Sequence, residues 1–118
     1  TNVLADIKEN KNINIFNPNH KFNNLIHVND LYKFINLFIK LKSLNNDILC
    51  ISTKEKLPIK KIVLKLIQLN NSKSKINIKK NNTKSFYIKN NKILNNYDYK
   101  PMTTSETLKK FAIENLIK

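Results

Sequence analysis

Few side chains in this sequence are suited to chemistry, and their spacing narrows what they can do. The histidines and the cysteine stand at His20, His27 and Cys50, scattered in a way that matches no metal-ligand spacing. The carboxylates Asp6, Glu9, Asp30, Asp47, Glu55, Asp98, Glu106 and Glu114 show no paired arrangement for acid/base work. Asp30 and Glu106 are better explained as helix-start residues, favoured by the helix dipole. His27, in an apolar run next to a helix start, reads as a structural histidine, and His20, in a polar turn, as a solvated one. The chain contains no glycine, so neither a Walker loop nor the glycine-rich dinucleotide fingerprint is present. No catalytic residue and no metal ligand is assigned. The adjacent Lys79 and Lys80 are the best phosphate contacts, although among 22 lysines a solvated pair is the default.

The elements that must position these residues follow from hydrophobic period. In KFNNLIHVNDL, residues 21–31, a short apolar run changes into a helical pattern, so a strand over about 22–28 feeds a helix over 29–43, capped by Asn29 or Asp30. That helix is apolar on more than one side and predicts cover on more than one side. Residues 1–9, with Val3, Leu4 and Ile7 on one side, fit the last turns of an earlier helix. Ile13, Ile15 and Phe16 form a strand stopped by Asn17-Pro18-Asn19-His20, with a hairpin-like return. Residues 48–52 read as a buried strand of a parallel sheet, with Cys50 inside it. Pro58 opens a helix whose apolar face is Ile59, Ile62, Val63, Leu66 and Ile67. Ile76 and Ile78 mark a further strand, and Phe86-Tyr87-Ile88 another. Residues 90–95 allow one or two helical turns. Thr103 and Glu106 form a capping box before a last helix over 104–117. The expected fold is α+β: a single small mixed domain over residues 1–118, of three main helices and four or five short strands.

The formal charge of +14 suggests nucleic acid. Yet every basic residue is Lys, none is Arg, and Asn is as abundant as Lys, a pattern of drift towards AT-rich codons. Arginine, the preferred reader of guanine edges and phosphate forks, is missing, which argues against nucleic acid as partner. No apolar run approaches the roughly 18 residues a membrane span needs. A cytoplasmic protein without intrachain disulfides is expected, and the start at Thr1 suggests a piece of a longer chain.

Taken in order, the segments resemble the C-terminal part of the NAD-dependent sugar epimerases and dehydratases, the extended short-chain dehydrogenase/reductase family. "INIF" at 13–16 is similar to that family's "ITIFG" strand and "LIHVND" at 25–30 to its "FIHVDD" junction. "ILCIS" at 48–52 resembles "FNIGS", residues 57–66 the "TIKELAELI" helix, "NNKILNNYDYKP" the "SKAKKLLGYKP" segment, and residues 103–111 the closing "SLEEGLRRF" helix. The resemblance implies a substrate-binding domain that closes over a nucleotide-sugar, while an N-terminal Rossmann domain, absent here, holds NAD or NADP and the proton-moving Ser/Thr, Tyr and Lys. It implies no cofactor for this fragment. The family's "YxxxK" pair is missing: four residues after Tyr32, Tyr87, Tyr97 and Tyr99 stand Asn36, Asn91, Pro101 and Thr103. Activity is therefore expected only with the other half.

Departures from the pattern bear on the substrate. Where the family places an Arg on the substrate diphosphate, this chain has Asn23, followed by Asn24, so the charged fork is replaced by neutral hydrogen bonds. A second family Arg falls near Lys79 and Lys80. The resemblance thus names Asn23, Asn24, Lys79 and Lys80 as substrate-binding residues. The apolar surface left by the missing half predicts self-association into a homo-oligomer. The rival reading is a stand-alone basic module that binds nucleic acid or another protein, with a steep salt dependence.

Overall fold

The computed structural model describes residues 2–41, 46–81 and 84–116. Nine elements follow one another: α1 (Val3–Lys8), β1 (Ile13–Phe16), β2 (Lys21–Phe22), α2 (Val28–Ile39), β3 (Leu57–Pro58), α3 (Ile59–Leu69), β4 (Ile76–Lys79), α4 (Asn91–Asn96) and α5 (Thr104–Leu116). The core forms where α1, α3 and α5 meet one face of β1. Ile7, Ile13, Ile15, Ile62, Val63, Leu66 and Leu108 are buried there, and each such side chain contributes roughly 1.5–3 kcal/mol.

With no glycine to reverse the chain, asparagine takes the left-handed positions: Asn10, Asn17 and Asn71 have φ of 56°, 50° and 49°. Asparagine tolerates this conformation because its short polar side chain bonds locally. Asn10 and Asn71 each follow a helix and complete the same C-terminal motif. Lys11 N–H donates to the Asp6 carbonyl at 2.8 Å and Ser72 N–H to the Ile67 carbonyl at 3.0 Å, while Asn10 and Asn71 close the inner bonds. The two motifs meet, since Asn10 Oδ1 accepts from the Lys73 N–H at 2.7 Å.

β1 pairs with β4 in parallel, in the register Ile13↔Ile76 to Phe16↔Lys79. The expected hairpin is not formed: β2 pairs antiparallel with β3, Lys21 opposite Pro58 and Phe22 opposite Leu57. Pro58 is the N-cap of α3 rather than its first residue. The first amides of α3 are used by the turn after β1, because Ile59 N–H donates to the His20 carbonyl at 2.9 Å and Lys60 N–H to that of Pro18 at 3.0 Å.

Two expected strands are absent, and a third, expected over about 22–28, is cut to Lys21–Phe22, with 23–27 irregular because the Asn23 side chain takes up backbone bonds that a ladder would make. Residues 48–52 have no ladder, Ile48 is 89% exposed and Cys50 is exposed rather than buried. Among the described residues no strand pairs with this run, and the chain is tied only just after it, by Thr53 N–H to Leu25 O and Lys54 N–H to Met102 O. Residues 86–88 are likewise irregular, with Phe86 exposed. α2 is capped not by Asn29 or Asp30 but by His27, and it ends at Ile39; part of the expected continuation to 43 lies outside the described residues. One side of α2 packs Phe34 and Phe38 on Tyr99 and Tyr97. The expected cover on the other side is missing, for Val28, Tyr32, Ile35 and Ile39 are exposed. Among the described residues no helix is long and apolar enough to cross a membrane.

Candidate functional site

In parallel sheets ligands gather beyond the carboxyl ends of the strands, where the chain leaves the ladder and its side chains are free to face a crevice. Here those ends are Phe16 and Lys79, directly paired. Asn17 N–H continues the ladder to the Lys79 carbonyl at 3.1 Å, and the Asn17 and Asn81 side chains then bond to each other. Two adjoining clefts open at this end. One, of about 200 Å³, is walled by Asn17, Pro18, Asn19, His20 and Lys80. The other, of about 340 Å³, shares Asn17 and His20 and adds Phe16, Lys21, Phe22, Ile59, Lys84, Ser85 and Phe86. Lysine charges line both clefts and carboxylates neither, so the chemistry suits an anion that carries an apolar ring.

Lys80 lines the smaller cleft, and Lys79 is exposed beside it at the end of β4. Asn23 and Asn24 line neither cleft. The Asn23 side chain is fully buried and every polar atom is used: Nδ2 donates to Ser52 Oγ and to the Ile88 carbonyl, both at 3.0 Å, and Oδ1 accepts from the Ile88 N–H at 2.9 Å. Around it lies a buried polar knot. Asn90 Nδ2 donates to the Thr53 carbonyl at 3.0 Å, Thr104 Oγ1 to the Glu55 carbonyl at 2.6 Å, and Thr53 and Thr104 hydroxyls touch at 2.6 Å. These side chains do for residues 52–55 and 88–90 what a backbone ladder does elsewhere. Asn24 is half-buried, and its Oδ1 is buried with no hydrogen-bond partner among the described residues.

His27 is structural, as its position suggested. Its Nδ1 accepts from the Asn29 N–H at 3.1 Å, so in the neutral ring the proton sits on Nε2, which meets Glu114 Oε2 at 2.9 Å. Asp30 is buried, accepting from the Met102 N–H at 2.9 Å, and the Tyr99 hydroxyl donates to the Asp30 carbonyl at 3.2 Å. Burial, with the Asp30 charge adding to it, pushes the Tyr99 phenol up to about 12. The capping box is present: Thr103 N–H donates to Glu106 Oε2 at 2.8 Å and Glu106 N–H to Thr103 Oγ1 at 3.1 Å. The Thr103 amide holds the Glu106 carboxyl below its ordinary range. Among the described residues no group of three His, Cys, Asp or Glu could hold a metal. His20, Lys21, Lys84 and Phe86 were not singled out by spacing; a lone lysine among 22 carries no signature.

No family model and no curated protein matches the sequence. Solved structures do match. The chain superposes on the UDP-glucuronic acid 4-epimerase from Bacillus cereus, solved in complex with NAD, with a TM-score of 0.72 and 19% identity, over 98% of this chain and 39% of that one. On the dTDP-glucose 4,6-dehydratase from Bacillus anthracis strain Ames, also in complex with NAD, the TM-score is 0.71 at 16% identity, over 98% and 38%. The chain thus has the fold of a part of these enzymes and spans about two fifths of their length.

Proposed function

We propose that residues 1–118 are the C-terminal, substrate-binding part of an NAD-dependent nucleotide-sugar epimerase or dehydratase, inactive without a Rossmann half. The observation that carries this is the superposition of nearly the whole chain on 39% and 38% of two such enzymes. The ordered "IHVND" junction and capping box agree with it, and so does a lysine-lined crevice at the ends of β1 and β4. Lys79 and Lys80 serve as point charges for the nucleotide diphosphate, while Asn23 acts at a distance from the ligand by tying Ser52 to Ile88.

The chain's own residues do not fit a dinucleotide, because a glycine-free sequence has no loop that lets backbone amides close around a pyrophosphate. NAD or NADP therefore belongs to the rest of the parent protein, where it would take and return hydride. The exposed face of α2, with Val28, Tyr32, Ile35 and Ile39, is the surface that the missing half covers. Detached, it drives self-association, and sedimentation of residues 1–118 as a strict monomer with no dye-binding patch would contradict this. The test of function is turnover of UDP- and dTDP-sugars by the full reading frame with NAD, followed by chromatography. Product from the full protein and none from residues 1–118 supports the proposal; no product from any nucleotide-sugar, with folding intact, removes it.

A further inference from the structure

Position 23 cannot serve the ligand in this chain. The two amide protons of Asn23 are taken by Ser52 and Ile88, its oxygen by the Ile88 N–H, and its side chain has no exposed surface. A diphosphate bound near this loop needs positive charge from elsewhere. The wider cleft supplies it from two elements: Lys21 comes from β2 and Lys84 from the segment whose Ser85 bonds the Lys21 carbonyl, and His20 lines the same cleft. Neither lysine is in an ion pair among the described residues, so no carboxylate has to be displaced before an anion binds.

The walls are held by bonds that leave the side chains of these lysines unused. His20 and Pro18 carbonyls accept the first amides of α3, and Ser85 Oγ donates to the Lys21 carbonyl at 3.5 Å. Phe16 and Phe86, 49% and 74% exposed, offer apolar surface at the same cleft. A volume of about 340 Å³ admits a diphosphate with part of its nucleoside.

We infer that Lys21 and Lys84, facing one cleft from β2 and from the chain after β4, hold the diphosphate of a nucleotide ligand in place of residue 23. This rests on the nucleotide-sugar reading above. It assigns the charge to residues of this chain that neither the resemblance nor spacing singled out, and it explains how an enzyme of this fold works with Asn at position 23. Lysine acts as a point charge, so the expected binding is salt-sensitive and indifferent to the sugar.

The experiment is titration of uridine and thymidine 5′-diphosphate into the full reading frame, unsubstituted and as Lys21→Ala/Lys84→Ala and Lys79→Ala/Lys80→Ala, with circular dichroism as the folding control. Loss of two charge-assisted contacts weakens the first double variant by about tenfold or more. Lys21→Arg/Lys84→Arg retains binding. If Lys21→Ala/Lys84→Ala binds as the unsubstituted protein does while Lys79→Ala/Lys80→Ala loses the ligand, the assignment to Lys21 and Lys84 is overturned and the nucleotide-sugar reading stands. If the folded, unsubstituted protein binds neither diphosphate, the reading and the assignment fall together.

Discussion

Replacing Asn23 by Ala tests the buried knot that ties Ser52 to Ile88. The change removes three hydrogen bonds of 2.9–3.0 Å and leaves the Ile88 amide, the Ile88 carbonyl and Ser52 Oγ without that partner. At about 1 kcal/mol net for each bond, the loss is about 3 kcal/mol, a large share of the roughly 5–15 kcal/mol that holds such a domain. With a urea slope of about 1–3 kcal/mol per molar, the midpoint falls by at least about 1 M. Urea unfolding followed by circular dichroism measures this, and hydrogen exchange at the Ile88 amide locates it. Asn23→Arg, which restores the residue expected from the resemblance, costs at least as much, because the side chain at this position is fully buried and a longer, charged guanidinium would have to leave its hydration behind. An Asn23→Ala midpoint unchanged within error, with the Ile88 amide still protected, would refute the reasoning. So would an Asn23→Arg protein of normal stability that binds nucleotide more tightly.

Other positions give independent checks. Asn71→Ala, at φ 49°, destabilises by about 1 kcal/mol or more in thermal unfolding, whereas Asn71→Gly does not, because only the left-handed cost differs. Glu106→Ala lowers stability at neutral pH. Because the folded-state pKa of Glu106 is depressed, its contribution is present above the ordinary value of 4.5 and is lost as pH falls through the lower folded-state value, so the variant and the unsubstituted protein converge in acid. Tyr99→Phe costs about 1 kcal/mol for the lost bond to Asp30. In spectrophotometric titration one tyrosine ionises near 12 in the unsubstituted protein and is missing from the variant; the stability that Tyr99 confers is full below 10 and is lost as pH rises through about 12.

The helices and the capping box were legible in the sequence because their causes are local. The stripe Ile59, Ile62, Val63, Leu66 specifies α3 whatever surrounds it, and Thr103 with Glu106 marks the start of α5 from four consecutive residues. Strand pairing was not legible, because a ladder depends on a partner distant in sequence. The apolar run at 48–52 looks like a buried strand, yet no strand lies beside it and Ile48 faces solvent. The turn of Asn17 was readable from its residue type, whereas Asn10 and Asn71 are two asparagines among many until the backbone shows their positive φ. At the candidate site, Lys79 and Lys80 stood out as a pair, while Lys21, Lys84 and His20 are brought together by the β2–β3 pairing, the clamp of residues 17–20 on α3 and the Ser85 bond to the Lys21 carbonyl.

As the substrate-binding part proposed above, residues 1–118 would belong to a longer chain that carries a nicotinamide cofactor. The most direct measurement is the intact mass of the protein isolated from its native source, together with the nucleotide released when it is denatured. A 13.9 kDa segment that spans 39% of its structural relative implies a protein of about 36 kDa, and the account predicts that mass with NAD or NADP in the denatured supernatant. A mass of 13.9 kDa with no nicotinamide nucleotide released would contradict it.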